Sequence, residues 1–350
     1  MKVQITTKEN CEKYSIRTEP KLVNLKSGFA SEFEIFITPH CTLNLNDNIV
    51  IITLKLNSGE VCTNNFKFMC ATENSTKLDY DELIEEKKLG EGSFGVVFKG
   101  TFRGNSVAIK KMKNSNDDKD KCDEFEKEVS MLDKFRNEYI IHFYGAVFIT
   151  NHICMVSEFA EYGSLQDLMK HKKSDEVDMK LRVKMLLDAA KGISYLHENG
   201  ILHRDIKPDN ILVFSLDLNQ KVNAKLTDFG SARNVNLLMT NMTFTKGIGT
   251  PVYMAPEVLK QKKYTKSADV FSLSITMYET ISWEKAYPQD EFKFPWKIAE
   301  FISSGKRLKK IDCIPLYLFD IISSCWQQDT TSRTKIEVVV EMLQKYLDDN

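Results

Sequence analysis

The chain has no Cys-x-x-Cys motif, although its 350 residues include eight cysteines. The cysteines are scattered along the sequence, and this spacing argues against a zinc site or a thioredoxin-like redox site. We therefore expect reduced thiols that behave as small apolar side chains, as is usual in the cytoplasm.

The sequence also lacks long apolar runs and a charge excess. No apolar run approaches the ~20 residues of a membrane-spanning helix, and the first eight residues contain no apolar signal core. Lys and Arg number 48, against 49 Asp and Glu, so the charge balance does not favour nucleic acid or an anionic membrane as a partner. The sequence predicts a cytoplasmic protein with no nucleic-acid partner and no membrane segment.

What the chain does contain is enough apolar material for a large core, at 42 % hydrophobic residues. Its length predicts one large domain and a smaller one. In the first part of the chain, Phe33–Ile37 and Ile49–Leu56 have the composition of strands, and polar turns are predicted at Asn46–Asn48 and Asn57–Gly59. These residues predict a short β-sandwich-like unit.

Two polar motifs, His203–Asn210 and Asp228–Gly230, are separated by a pattern typical of a hairpin. The apolar runs Ile211–Phe214 and Val222–Leu226 flank the polar residues Ser215–Lys221. A hairpin over these residues would bring the second motif back to the first. Two carboxylates, one amide and one lysine at such a turn suit a site for a metal and a phosphate.

A glycine-rich stretch, Leu89–Gly100, contains the pattern Gly-x-Gly-x-x-Gly. This pattern alone also matches dinucleotide-binding proteins, in which a helix follows the glycines. Here the strand-like residues Val96–Phe98 follow, and a turn at Gly104–Asn105 predicts a second strand that ends near Ile109. A glycine-rich hairpin lets backbone N–H groups lie close over phosphates. Because a strand and not a helix follows the glycines, we do not expect a nucleotide-binding oxidoreductase.

Taken together, the motifs resemble those of eukaryotic protein kinases. The two polar motifs are similar to H-R-D…N and D-F-G, Val107–Lys110 is similar to V-A-I-K, and Gly249–Glu257 is similar to G-T-x-x-[YW]-M-A-P-E. The resemblance covers about residues 83 to 347. Lys207 is typical of serine/threonine kinases. Cys325-Trp326 with a downstream Arg is typical of the tyrosine kinase-like group and of tyrosine kinases. The combination indicates the tyrosine kinase-like group, with Ser/Thr specificity and dual specificity as an alternative.

The resemblance implies an α+β fold, the two-lobed protein kinase fold, with a β-rich N-lobe at 83–159 and a helical C-lobe at 160–350. Residues 1–82 form the accessory segment, which is similar to the immunoglobulin-like or major-sperm-protein-like modules that precede some receptor-type kinase domains. We expect an unknown partner for this segment and a linker over Thr72–Lys77. The chain could be the cytosolic part of a membrane receptor kinase.

Roles in phosphoryl transfer follow from the resemblance. Asp205 would accept and orient the hydroxyl of a protein substrate, and Lys207 would neutralise the γ-phosphate. Lys110 would pair with the α- and β-phosphates of ATP and be held by Glu128. Glu124 and Glu126 are alternatives to Glu128. Asn210 and Asp228 would hold Mg²⁺, or Mn²⁺ as an alternative.

The resemblance also implies an adenine site, with Val97, Ala108 and Leu212 around the base and Ser157 as a small gatekeeper. The residues expected to bind ATP are Gly90, Glu91, Gly92, Ser93, Phe94, Gly95, Val97, Ala108, Lys110, Ser157, Glu158, Phe159, Ala160 and Leu212.

Other positions are expected to support or regulate this site. The structural residues are His203, Arg204, Phe229, Glu257, Asp269 and Arg333, of which Arg333 should pair with Glu257. The activation segment contains Thr240, Thr243, Thr245 and Thr250; phosphorylation of Thr243 and Thr245 is expected to order it through Arg204.

Two positions depart from the family pattern. Ser274 stands where Gly is usual, and Thr334 stands where Pro often follows the arginine.

One other function is an alternative, that of a pseudokinase that binds partners without transfer. The complete polar set of Lys110, Glu128, Asp205, Asn210 and Asp228 favours catalysis.

Overall fold

The computed structural model describes residues 1–8, 11–91, 95–112, 119–149, 152–234 and 251–350. The chain forms two compact units, Met1–Asp118 with Phe143–Glu158 and Lys119–His142 with Phe159–Asn350. The first unit consists mainly of strands and the second mainly of helices. This confirms the predicted α+β class, with a strand-rich part followed by a helical part.

The N-terminal segment is rich in sheet, as predicted. Its strands are β1 (Lys2–Thr6), β2 (Tyr14–Glu19), β3 (Val23–Asn24), β4 (Glu34–Pro39), β5 (Asn44–Leu54) and β6 (Val61–Ala71). They form one sheet in the order β3-β1-β5-β6 and a separate β2–β4 pair. The Tyr14 ring packs edge-on against Phe68, with ring centroids 5.5 Å apart, so β2 contacts the sheet that contains β6.

One predicted turn of this segment is wrong. Asn46–Asn48 lies inside β5, where it pairs with residues 67–69 of β6. The Asp47 carboxylate accepts a hydrogen bond from Tyr14 Oη at 3.1 Å and lies 2.6 Å from Lys8 Nζ, so long-range partners satisfy a residue type that otherwise favours turns. The other predicted turn is confirmed, because Gly59 has φ +71° and donates to the Lys55 carbonyl at 2.9 Å.

A five-stranded antiparallel sheet follows in the chain. Its strands are β7 (Leu83–Glu91), β8 (Gly95–Phe102), β9 (Asn105–Met112), β10 (Phe143–Val147) and β11 (Cys154–Glu158), in the order β10-β11-β9-β8-β7. Arg103 and Gly104 connect β8 to β9 with φ values of 46° and 81°, which suits a type I′ hairpin. The turn therefore lies one residue before the predicted Gly104–Asn105.

The polar stretch Thr72–Lys77 joins these two sheets through backbone hydrogen bonds. Thr42 N donates to Lys77 O at 2.7 Å, and Ala146 N donates to Thr76 O at 2.7 Å. Leu78, directly after the stretch, is buried in the core of the five-stranded sheet. Within the first unit, the predicted linker is thus hydrogen-bonded to both the N-terminal strands and the sheet that follows.

The second unit contains the helices α1 (Lys119–Leu132), α2 (Leu165–His171), α3 (Met179–Glu198), α4 (Pro256–Leu259), α5 (Lys266–Ser282), α6 (Pro295–Ser303), α7 (Leu316–Cys325) and α8 (Ile336–Asp349). Its short strand pairs are β12 (Ile201–Leu202) with β15 (Arg233–Asn234), and β13 (Ile211–Val213) with β14 (Ala224–Leu226). Of the helices that the structure describes, none is long and apolar enough to cross a membrane.

Apolar residues at helical spacing predict helices over Cys122–Phe135 and Met179–His197. Both helices are present, as α1 and α3. α3 matches the predicted Met179–His197, and the Asp178 side chain caps it by accepting from Lys180 N at 2.8 Å. α1 ends at Leu132, three residues before the predicted end. Its predicted apolar stripe, including Phe135 beyond the helix end, is buried.

Candidate active site

The β13–β14 hairpin brings the two polar motifs together. Ile211 pairs with Leu226 at the open end of the hairpin, which confirms the predicted hairpin. Thr227 N donates to Asn210 O at 3.0 Å, and His203 Nε2 donates to Thr227 O at 3.0 Å. His203 and Asn210, which precede β13, are therefore hydrogen-bonded to Thr227, which directly follows β14.

Asp205 is held by two side chains of its own loop. Lys207 Nζ lies 2.7 Å from Asp205 Oδ2, and Asn210 Nδ2 donates to the same oxygen at 3.0 Å and to Asp205 O at 2.8 Å. Asn210 is buried, and Asp205 and Lys207 are half-buried. Because the Asn210 nitrogen is bound to Asp205, the amide oxygen is the atom of this side chain that can bind a cation.

Asp228 stands at the other end of the hairpin with φ 62°, a backbone conformation that residues other than glycine rarely adopt and that clusters at functional sites. Phe229 is buried, with its ring centroid 5.2 Å from the His203 ring and 4.9 Å from the Phe135 ring. This packing anchors the backbone directly after Asp228.

The carboxylates of Asp228 and Glu128 both lie near Gly230. A Cβ atom on Gly230 would lie 3.5 Å from Asp228 Oδ1 and 3.9 Å from Glu128 Oε2. Glu128 is buried on α1, whereas Glu126 is exposed, and the side chain of Glu124 lies outside the described residues. Among the three alternatives, Glu128 is the one that the structure places beside Gly230.

Asp228 and Asn210 offer hard oxygen atoms at the two ends of one hairpin. Mg²⁺ commonly binds proteins through one or two such groups and takes its other ligands from phosphates and water. The orientation of the Asn210 amide by Asp205 supports this use. The donor set therefore fits a divalent cation that binds together with nucleotide.

Asp269, in the first turn of α5, binds the backbone of the loop that contains Asp205. Its carboxylate accepts from the backbone N–H groups of His203 at 3.0 Å and Arg204 at 2.9 Å, from His197 Nε2 at 2.9 Å and from Tyr264 Oη at 2.8 Å. Burial would raise the pKa of Asp269, but these donors hold that pKa below its usual range. Arg204 is thereby fixed with φ 72°.

Two members of this cluster, His197 and Tyr264, were missed by the sequence analysis. The Arg204 guanidinium lies 5.7 Å from the centroid of the Tyr264 ring, so Tyr264 contacts both Asp269 and Arg204. The only signal in the sequence is that Tyr264 stands five residues before Asp269. His197 is 72 positions away from Asp269 and carries no signal of its own.

In the first unit, the strand register places four of the predicted ATP-binding residues on one face of the sheet. Val97 pairs with Lys110, and Ala108 pairs with Ser157. Opposite residues in an antiparallel pair share a face, as do residues two apart along a strand. All four are half-buried, whereas the other face is the fully buried core of the sheet.

Lys111 faces the opposite side of β9 from Lys110. Its Nζ lies 2.5 Å from Glu85 Oε1 and donates to Tyr80 Oη at 3.0 Å. A lysine on a strand is usually only solvated, and the sequence predicts this of Lys111. That prediction is wrong, because a carboxylate and a phenol bind Lys111 within the sheet. This pair leaves Lys110 as the lysine of β9 on the half-buried face.

The glycine-rich stretch is described at its two ends. Gly90 and Glu91 pair with Val97 and Val96. A Cβ atom on Gly95 would lie only 1.9 Å from Lys111 O, so the close approach of β8 and β9 requires glycine there. Gly92, Ser93 and Phe94 lie outside the described residues.

The other predicted nucleotide-binding residues lie in, or directly after, two short strands. Glu158 is the last residue of β11, and Phe159 and the buried Ala160 follow it in the chain. Leu212 is half-buried in the middle of β13 and forms an isolated bridge with Ser164.

The end of the activation segment is tied to the helical core. Arg333 Nη1 and Nη2 donate to the two Glu257 carboxylate oxygens at 2.6 and 2.7 Å, which is the pairing that the resemblance implies. Tyr253 Oη donates to Glu279 at 2.7 Å. Thr240, Thr243, Thr245 and Thr250 lie outside the described residues.

Ser274, one of the two departures from the family pattern, is accommodated within α5. Its buried hydroxyl donates to the Phe271 carbonyl at 2.6 Å, so the polar group is satisfied inside the helix.

Comparison with known proteins agrees with this geometry. Residues 83–343 match the family described as "Protein tyrosine and serine/threonine kinase". The chain is 31 % identical over 343 residues to "Probable serine/threonine-protein kinase gdt9" of Dictyostelium discoideum, with 89 % of this chain and 21 % of that protein covered. It is 34 % identical over 272 residues to "Serine/threonine-protein kinase STY17" of Arabidopsis thaliana, with 77 % of this chain and 46 % of that protein covered.

A further relative, "Probable serine/threonine-protein kinase gdt4" of Dictyostelium discoideum, is 31 % identical over 350 residues. This match covers 99 % of the chain, so it includes the N-terminal strands, and 20 % of that protein. The chain thus spans about a fifth of the length of the Dictyostelium relatives and less than half of the Arabidopsis one. With three quarters of its residues matched by one family description, the chain belongs to the protein tyrosine and serine/threonine kinase family.

Proposed function

We propose that this chain is an ATP-dependent protein kinase of the tyrosine kinase-like group that phosphorylates Ser and Thr hydroxyls of protein substrates. The observation that carries the proposal is the Asp205 carboxylate, which Lys207 and Asn210 contact in the loop that leads into the hairpin. Asp228 follows the other strand of that hairpin, and Thr227 N is hydrogen-bonded to Asn210 O. The relatives are named serine/threonine-protein kinases, which supports the Ser/Thr preference. Transfer to Tyr as well is the alternative specificity.

Asp205 would accept a hydrogen bond from the substrate hydroxyl and take up its proton as the phosphoryl group is transferred. Transfer of this kind depends on positioning and charge neutralisation more than on covalent chemistry with the protein. Lys207, which now pairs with Asp205, would neutralise charge on the γ-phosphate. The hydrogen bond from Asn210 would keep the Asp205 carboxylate in a fixed orientation.

Asn210 and Asp228 would hold Mg²⁺, with Mn²⁺ as an alternative. A divalent cation held there would neutralise charge on the phosphates of the nucleotide. On the side of the chain, Lys110 would bind the α- and β-phosphates, and Glu128 would pair with Lys110. The backbone N–H groups of the glycine-rich stretch, Gly90 to Gly95, would cover the phosphates.

Adenine would be bound mainly by apolar side chains. Val97 and Ala108 extend from the half-buried face of the five-stranded sheet, and Leu212 from β13 would contact the base as well. The backbone of Glu158 to Ala160 would supply hydrogen bonds, with Ser157 as a small gatekeeper.

Phosphorylation of Thr243 or Thr245 would regulate the site. A phosphothreonine adds about −1.5 to −2 charge and accepts charge-assisted hydrogen bonds from arginine. Arg204 precedes Asp205 directly, so a phosphate bound there would act on the residues next to the base. Thr250 is assigned to the acceptor site itself.

Residues 83–350 would form the kinase domain, with an N-lobe at 83–159 and a C-lobe at 160–350, and residues 1–82 an accessory segment of immunoglobulin-like or major-sperm-protein-like type. Seven of the eight cysteines are free thiols, namely Cys11, Cys41, Cys62, Cys70, Cys154, Cys313 and Cys325. Free thiols support a cytoplasmic location, including as the cytosolic part of a longer receptor kinase. No observation favours the pseudokinase alternative.

A peptide array with Ser, Thr and Tyr acceptors tests the proposal. The purified chain would be incubated with radiolabelled ATP and either Mg²⁺ or Mn²⁺, beside Asp205→Asn and, as a matched control, Asp217→Asn in the exposed loop of the same hairpin. We expect label on Ser and Thr for the parent and for Asp217→Asn. Label on Tyr alone would overturn the specificity, and no label under any condition would overturn the catalytic proposal.

A further inference from the structure

β6 is a long strand with one unpaired edge. It is the last strand in the order β3-β1-β5-β6 and spans Val61–Ala71. Within the residues that the structure describes, no strand pairs with its outer side. A long open edge is a template for another strand unless charges, prolines or a bulge block it.

The backbone of β6 shows which residues face the open edge. Lys55 N donates to Glu60 O and Thr72 N donates to Leu43 O, so Glu60 and Thr72 direct their backbone groups toward β5. The direction alternates along an antiparallel strand. The odd-numbered residues therefore present their N–H and C=O groups outward: Val61, Thr63, Asn65, Lys67, Met69 and Ala71.

The usual protection of an edge strand is weak here. The sequence Val61–Ala71 has no proline and a single charge, Lys67. Three large apolar side chains are exposed, Val61 at 61 %, Phe66 at 59 % and Met69 at 82 %. β6 pairs with β5 along its full length without a bulge.

We propose that β6 pairs antiparallel with β6 of a second copy of this chain, about a two-fold axis at Phe66. Phe66 is the middle residue of the strand, so this register pairs the whole strand, with Val61 opposite Ala71 of the second copy. It also places all outward backbone groups in hydrogen-bonded pairs, because odd residues face odd residues. An isologous interface of this kind uses the same surface on both copies.

Charge favours the register centred on Phe66 over the register centred on Lys67. With the axis at Phe66, each Lys67 lies opposite the neutral Asn65 of the second copy. Moving the axis by one residue to Lys67 would place two ammonium groups directly opposite each other, which is unfavourable. The two exposed Phe66 rings meet at the axis instead, and their burial against each other favours association.

The same register makes a specific prediction about two cysteines. Cys62 lies opposite Cys70 of the second copy, in a pair without backbone hydrogen bonds. Such pairs have Cα atoms about 4.5 Å apart, which is within the range that a disulfide can bridge. Each bridge would need Cys62 from one copy and Cys70 from the other.

The experiment uses the full chain with Cys11→Ser, Cys122→Ser and Cys313→Ser. Burial raises the pKa of the remaining Cys41, Cys154 and Cys325 to about 11, 12 and 12, so these thiols react slowly. Diamide, a two-electron oxidant that takes up both thiol hydrogens, is added as the disulfide probe. We expect a covalent dimer on non-reducing gels.

Cys62→Ser and Cys70→Ser in this background provide the decisive comparison. Alone, each variant lacks one half of every bridge and should stay monomeric on the gel, whereas an equimolar mixture should recover a covalent dimer. Equal cross-linking of the single variants and the mixture would overturn the register.

Sedimentation without oxidant tests the association itself. The parent should dimerise in the micromolar range, and Asn65→Pro, which removes an outward N–H, should weaken dimerisation at least tenfold. The control is Leu56→Lys in the turn after β5. Leu56 is an apolar residue as exposed as Phe66, and its substitution should have no effect on dimerisation. A parent that is monomeric at 100 μM (roughly, the weak end for specific pairing), or equal effects of Asn65→Pro and Leu56→Lys, would overturn the proposal. Neither outcome bears on the proposed kinase activity.

Discussion

Asn210 donates its amide hydrogens to both the carboxylate and the backbone carbonyl of Asp205, at 3.0 and 2.8 Å. The two residues are five positions apart and the amide is buried. The contact fixes the orientation of the carboxylate, and it leaves the amide oxygen as the atom of Asn210 that can bind a cation. One side chain thus positions the proposed base and serves as a proposed metal ligand.

Asn210→Ala should therefore impair catalysis in two ways. We expect kcat to fall at least about 100-fold, within the range of losses for positioned acid–base groups, and the Mg²⁺ concentration for half-maximal activity to rise. Initial rates over a Mg²⁺ titration measure both effects. Asn219→Ala, in the exposed loop of the same hairpin, is the control, and equal behaviour of the two variants would contradict both assigned roles.

Adjacent lysines on β9 should respond in opposite ways to the same substitution. Lys110→Met should abolish transfer with little change in the free energy of unfolding, because a half-buried lysine on an open face leaves no core cavity. Lys111→Met removes the contact with Glu85 and should lose about 1 kcal/mol of stability while keeping its transfer rate within about threefold. Retained transfer in Lys110→Met would remove this lysine from the site.

The ion pair between Arg333 and Glu257 should matter for stability rather than for chemistry. Both side chains are buried and joined by two hydrogen bonds. Arg333→Ala would leave an uncompensated buried carboxylate, at a cost of about 3–5 kcal/mol in the free energy of unfolding. Urea denaturation measures the loss. Arg136→Ala, which breaks an exposed contact of 3.8 Å with Asp133, should cost under about 1 kcal/mol; similar losses for both arginines would refute the assignment.

Glu279 should make stability depend on pH. Burial raises its pKa above the ordinary 4.5, although Ala286 N and Tyr253 Oη donate to it. The folded state therefore holds this proton more tightly than the unfolded state. The resulting stabilisation is fully present below about pH 4.5 and is lost as the pH rises through the raised pKa.

Glu279→Gln keeps the shape of this side chain and one of its two acceptor oxygens. Like the protonated carboxyl, the amide carries no charge. Relative to the parent, the variant should become progressively more stable as the pH rises from 5 to 8 (roughly the neutral working range). Denaturant unfolding at each pH gives the difference. A constant difference over this range would show that the ionisation of Glu279 is not coupled to folding.

Local patterns predicted the elements that build the proposed site. The apolar spacing of α3 and the two apolar runs of the β13–β14 hairpin depend on neighbours within a few residues, and both are present. The preference for Glu128 rested on the resemblance, because Leu132, one helical turn later, matches an apolar packing position of the family. Glu126 is exposed, whereas Glu128 is buried. Its pairing with Lys110 stays a prediction.

Long-range contacts were not predictable in the same way. Asn46–Asn48 has the composition of a turn, but its strand partner is about 20 residues further along and Asp47 is satisfied by Tyr14 and Lys8. β6, with Asn64 and Asn65 at its centre, shows no clear alternation. The contact of His197 with Asp269 joins residues 72 positions apart, and only the folded chain brings them together.

Asp205 is proposed to accept the proton of the substrate hydroxyl as the phosphoryl group is transferred. The most direct measurement is single-turnover phosphoryl transfer by Asp205→Asn, beside its melting temperature with and without Mg-ATP. Asparagine keeps the shape of the side chain but cannot accept the proton, so the rate should fall at least about 100-fold, while Mg-ATP should still raise the melting temperature as in the parent. A single-turnover rate within threefold of the parent (a change too small, about 0.7 kcal/mol, for the loss of a base) would contradict the account.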